Sequence, residues 1–122
     1  MKANLIDGKK IAADLRWQIG ARVAAVKSTH NLTPGLAVVL VGEDAASQVY
    51  VRNKSVATEE VGMNSLEFRL PADAAQDALL DKVRALNEDP DVHGILVQFP
   101  VPNQISQQAD LLLKPQPLKK QY

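Results

Sequence analysis

The 122 residues of the chain suit one domain and leave little room for two. Hydrophobic residues make up 46% and charged residues 23%, and there is no cysteine, so disulfides and thiolate metal sites are excluded. Formal net charge is zero, which leaves no electrostatic footprint for nucleic acid or an anionic membrane surface.

In chain order, the opening MKANLIDGKK carries no apolar core of signal-peptide length. No later apolar run approaches the roughly 20 residues needed to cross a bilayer. A soluble, cytoplasmic protein is expected. Asp7-Gly8 reads as a turn or helix N-cap. From Lys9 to about Thr29, Ile11, Leu15, Ile19, Val23 and Val26 recur at spacings of four and three, one helical stripe. Pro34-Gly35 breaks the helix. Leu36 to Val41 (LAVVLV) is apolar on both faces, as a central strand of a parallel sheet would be. Asp44 can cap a helix from about Ala45 to Glu60, closed by Val61-Gly62. Ser65 to Leu70 alternates as a half-covered strand, and Pro71 ends it. Ala74 to Asn87 predicts a third helix, with Leu79, Leu80, Val83 and Leu86 on one side. Gly94 to Phe99 (GILVQF) predicts a second buried strand, ended by Pro100 and Pro102. A short last helix is expected from Ser106 to about Leu113.

Strands alternating with helices predict an α/β fold, a three-layer domain with a mainly parallel sheet and right-handed crossovers. The last nine residues, KPQPLKKQY, lack periodicity and read as a disordered tail.

In such a sheet, ligands bind beyond the carboxyl ends of the strands. Two segments meet that rule, Gly42 to Lys54 and Val97 to Pro102. On a helix, Tyr50 and Lys54 stand at i and i+4, with Ser47 a turn earlier on the same side. Tyrosine offers a ring for stacking. Lysine offers an ammonium suited to proton transfer when desolvated. Gln98 ends the second buried strand and can orient a lysine without adding a counter-charge. Spacing alone fits an ordinary amphipathic helix as well. Gly42 sits in a loop without the glycine spacing of a phosphate cradle. His30 and His93 lack partners at metal-ligand spacing, and Asp73, Asp77, Asp81 and Lys82 read as a solvated helix face.

Three segments carry a resemblance: IDGKKIAADLR, PGLAVVLVGEDAASQVYVRNKSVATEEVG and DVHGILVQFPVP. In this order and spacing the chain resembles the N-terminal half of the bifunctional methylenetetrahydrofolate dehydrogenase/methenyltetrahydrofolate cyclohydrolase family, over about residues 4 to 113. The resemblance implies a folate-binding α/β domain facing a Rossmann-type domain that binds NADP or NAD. It implies a homodimer with a folate-type small-molecule substrate, serving one-carbon metabolism and purine biosynthesis, with no metal, nucleic-acid or membrane partner. Lys54, Tyr50 and Gln98 are the implied catalytic residues. Tyr50 would stack on the folate rings, Lys54 would act in the cyclohydrolase step, and Gln98 would hold and tune it. Ser47 would shape the pocket, and Pro100 and Val101 would line its folate side.

The departures from the family pattern set further expectations. A KDVDGF-like element with a substrate-holding aspartate is missing where Lys114 to Leu118 stand. The glycine-rich nucleotide domain is missing too. Val56 replaces a common basic residue, and Phe99 and Val101 replace common leucines. Residues 1–113 are therefore expected to be the folate-binding catalytic domain and residues 114–122 an atypical tail. Such a truncated chain, lacking the second (Rossmann) domain, is not expected to be a dehydrogenase alone. Two other readings are a non-catalytic folate-binding or subunit-pairing module and, more weakly, a substrate domain of a shikimate-type dehydrogenase.

Overall fold

In a computed structural model, residues 3–105 are described. Helix α1 (Gly8–His30) begins where the Asp7 side chain accepts a hydrogen bond from the Lys10 N–H at 3.2 Å. It stops where Asn31 turns to a left-handed φ of 49°. Strand β1 (Gly35–Val41) follows at once. Its first residue must be glycine, because a Cβ there would collide with the Asp91 carbonyl. The Gly35 N–H donates to Nδ1 of His93 at 3.0 Å, so this histidine is a brace at the base of the sheet.

Helix α2 (Ala45–Glu60) leads to strand β2 (Asn64–Leu70), and helix α3 (Gln76–Glu88) leads to strand β3 (Gly94–Val97). The three strands are parallel, in the order β2-β1-β3. Side chains of β1 alternate between two apolar clusters, as a pleated strand requires. Ala37, Val39 and Val41 pack with Leu79, Val83 and Leu86 of α3. Val38 and Leu40 pack with Val51 of α2. The helices therefore cover opposite faces, giving the expected three layers. The two crossovers run in opposite directions across the sheet. Helices on opposite faces give them the same hand, as two right-handed crossovers require.

Most elements lie where the sequence predicts them, and the departures have local causes. α3 starts at Gln76, not Ala74, because the turn after Pro71 holds Ala74, whose N–H bonds the Pro71 carbonyl at 2.9 Å. β3 ends at Val97, not Phe99, since Pro100 has no N–H to continue the ladder and the Phe99–Pro100 peptide is cis. β3 is also a half-buried edge among the described residues, not a second fully buried strand. α1 forms, yet only Val23 of its stripe is buried, while Ile11 and Leu15 stay more than half exposed. Lys82 is not simply solvated: its ammonium lies 3.8 Å from the centre of the Phe68 ring. The expected last helix, Ser106 to Leu113, and the 114–122 tail lie outside the described residues.

The strand order reverses between β1 and β3. In open parallel sheets ligands bind in the crevice beyond the carboxyl ends of the strands. Val41-Gly42 and Val97-Gln98 border that crevice.

Candidate active site

α2 starts beside the crevice because Gly42, with φ of 87°, reverses the chain after β1. Asp44 then caps the helix. Its carboxylate accepts the Ser47 N–H at 2.9 Å, and this bond, helped by the Ser47 hydroxyl, holds the Asp44 carboxyl below the ordinary carboxylate range. The cap fixes the rotation of α2, and with it the directions of Ser47, Tyr50 and Lys54.

The other wall comes from β3. The Gln98 N–H donates to the Val39 carbonyl at 2.9 Å, so the ladder holds this residue one step past the strand. Val97 and Phe99 pack into the α3-side cluster. Alternation turns Gln98 toward α2. There its Oε1 accepts from Nζ of Lys54 at 2.6 Å, a contact between residues 44 apart in sequence. The Nε2 of Gln98 donates to the Phe99 carbonyl at 3.0 Å. The Ser47 hydroxyl approaches the same carbonyl at 3.5 Å.

Ser47, Lys54 and Gln98 thus converge around one backbone carbonyl. Ser47 and Gln98 are buried, while Lys54 is only partly covered. Gln98 takes one of the three ammonium donors of Lys54. Among the described residues Lys54 makes no ion pair with a carboxylate. Tyr50 stands one turn before Lys54 on α2 and is 56% exposed. Pro100 is exposed at the mouth of the same turn. Val101 is buried in the α3-side cluster, so its side chain packs with the core behind the wall.

Two participants escaped sequence reasoning. The Phe99 carbonyl has no sequence signal, since every residue carries one. Gln104 donates from Nε2 to the carbonyls of Ala72 at 2.8 Å and Ala74 at 3.0 Å, and no motif marks it. Among the described residues no group of three or more histidines or carboxylates is placed to hold a metal ion. The turn from β1 to α2 does not fit a dinucleotide pyrophosphate. Asp44 puts a carboxylate at the helix N-terminus where a phosphate would sit.

Residues 6–114 match the family model described as "Tetrahydrofolate dehydrogenase/cyclohydrolase, catalytic domain". The bifunctional protein FolD of Parvibaculum lavamentivorans is 64% identical over 109 residues, which are 89% of this chain and 37% of that protein. That of Caulobacter sp. (strain K31) is 61% identical over 108 residues, 88% of this chain and 36% of that protein. Among solved structures, the bifunctional FolD enzyme of Campylobacter jejuni superposes with a TM-score of 0.89 at 38% identity, over 92% of this chain and 39% of that one. The methylenetetrahydrofolate dehydrogenase-cyclohydrolase of Trypanosoma brucei, solved with NADP cofactor and inhibitor, gives 0.88 at 33% identity, over 98% of this chain and 40% of that one. The chain spans 37% and 36% of the length of these two curated relatives.

Proposed function

Because this chain belongs to the tetrahydrofolate dehydrogenase/cyclohydrolase family, we propose that it is the folate-binding catalytic part of an enzyme interconverting 5,10-methylene-, 5,10-methenyl- and 10-formyltetrahydrofolate. The observation that carries this reading is the 2.6 Å bond between Lys54 Nζ and Gln98 Oε1 at the carboxyl edge of β1 and β3, with the exposed Tyr50 one helical turn before Lys54. A flat cationic substrate can stack on Tyr50 and present its reactive carbon to Lys54. Residues 1–113 form the folate-binding domain in this reading.

The cyclohydrolase step needs protons moved at a defined point. Water attacks the methenyl carbon and a C–O bond forms. Lys54, in its neutral form, takes a proton from that water. It then returns the proton to the ring nitrogen as the C–N bond breaks, leaving a formyl group. One further proton leaves to solvent, so one water is added and one proton released overall. Gln98 holds Nζ throughout without adding charge. Ser47 and Pro100 border the space where the substrate lies.

A nicotinamide cofactor would accept hydride in the dehydrogenase step, as NADP or NAD does across the family. The turn at Asp44 does not fit such a cofactor. The same reading carries a homodimer and a cytoplasmic setting.

The test is hydrolysis of 5,10-methenyltetrahydrofolate by the pure 122-residue chain, with titration of a stable folate analogue. Lys54→Ala is expected to abolish hydrolysis while leaving the thermal midpoint close to the parent's. Turnover undiminished in that variant would remove Lys54 from the mechanism. A second reading, a subunit-pairing module, is favoured by the exposed Ile11, Leu15 and Trp17 of α1. Folate binding without turnover, in a chain that sediments as an oligomer, would select it.

A further inference from the structure

Gln104 lies on the surface, yet its amide bridges two loops at the carboxyl edge of the sheet. Nε2 donates to the carbonyls of Ala72 and Ala74, in the turn between β2 and α3. Around it, Val101 and Ile105 are buried, and the Ile105 N–H closes a turn on the Pro102 carbonyl at 3.0 Å. At the other end of the segment, the Gln98 N–H is held by β1. The Phe99 carbonyl therefore lies in a span anchored at both ends.

That carbonyl decides which way the Gln98 amide faces. With its NH2 on the Phe99 oxygen, Gln98 must present Oε1 to Lys54. Reversed, the amide would set NH2 against an ammonium and oxygen against oxygen. The turn that receives Gln104 also abuts the opposite wall, since a Cβ on Gly42 would lie 3.5 Å from the Ala72 Cβ. Gly42 is where the chain turns into α2. One loop thus braces both halves of the corner.

We propose that Gln104 is a positioning residue for the Lys54–Gln98 pair, acting through the segment that holds the Phe99 carbonyl. The reaction it serves rests on the function proposed above, whereas the orientation of Gln98 does not. Hydrogen exchange of the Gln98 side-chain amide, measured by NMR in the 122-residue chain, reads how firmly its NH2 stays bonded to the Phe99 carbonyl. Gln104→Met keeps the length and removes the donor. It is expected to speed this exchange about tenfold, the loss of one bond's worth of protection, and to weaken binding of 5-formyltetrahydrofolate in parallel. Gln104→Lys restores a donor and is expected to return exchange towards the parent's. Ile105→Val trims one buried methylene from the core beside the bridge with the donor intact, and should lower the thermal midpoint without changing the exchange. The proposal fails if Gln104→Met leaves the exchange unaltered, or if Ile105→Val speeds it as much. If Gln104→Met does not fold, Gln104→Ala carries the same comparison. A parent chain that binds no folate but shows the exchange pattern would remove the function and keep the positioning role.

Discussion

On the α3 face of the sheet, Leu79, Val83 and Leu86 meet Ala37, Val39 and Val41, and the buried side chains are apolar. On the α2 face only Val38, Leu40 and Val51 form the buried cluster, and polar groups share the space. The buried polar residues among those described are Ser47, Thr58 and Gln98, and each bonds at or beside the same corner. Thr58 donates to the Lys54 carbonyl at 2.6 Å, Gln98 accepts from the Lys54 ammonium, and Ser47 reaches the Phe99 carbonyl. One face holds the domain together. The other gives up packing so that polar atoms can stand at fixed places.

That contrast can be broken by mutation. Leu79→Ala, in the middle of the apolar face, is expected to cost about 2–5 kcal/mol in denaturant unfolding, with folate affinity unaltered in whatever fraction stays folded. A loss below that of Gln98→Leu would reverse the assignment of roles. Gln98→Leu removes two side-chain bonds, one from a partly exposed ammonium and one to the Phe99 carbonyl, so its stability cost should be about 1–2 kcal/mol. Lys54-dependent hydrolysis should nevertheless disappear, which a rate assay at matched folding will decide. Ser55, next to Lys54, has a buried hydroxyl with no hydrogen-bond partner. Ser55→Ala should therefore be neutral or stabilising by up to about 1 kcal/mol, and a clear loss would show that the hydroxyl is used.

The smallest effect concerns acid. The Asp44 carboxyl is held below its ordinary value of 3.8 by the Ser47 N–H and hydroxyl. Its capping contribution is thus complete above that value and is lost as pH falls through the lower value of the folded state. Asp44→Asn caps without titrating. The parent should lose stability relative to this variant only at the acid end of a circular dichroism titration, and parallel curves throughout would contradict the assignment.

Much of this was legible in the chain itself. The β1 run, the Asp44 cap and the four buried leucine and valine positions of α3 follow from periodicity and cap chemistry, and they stand as expected. Periodicity shows which side of α1 is apolar but not what covers it, so the exposure of Ile11 and Leu15 could not be foreseen. In the corner, Tyr50 and Lys54 share a face by spacing. Their meeting with Gln98 needed the rule that parallel sheets bind ligands at strand ends, and family resemblance gave it a role. The Phe99 carbonyl and the Gln104 bridge depend on loop geometry, which side-chain patterns do not encode.

The ladder between β1 and β3 pairs Val39 with Val97, and the next N–H, that of Gln98, bonds the Val39 carbonyl. The identity of the group facing Lys54 is therefore a matter of parity. Slipping β3 by one residue would send the amide to the apolar side and put valine or phenylalanine against the ammonium. Insertions in the turn at Asp89–His93 can be absorbed upstream of the strand. A single codon gained or lost between Gly94 and Val97 cannot, and would silence the corner while leaving every residue of it in the chain.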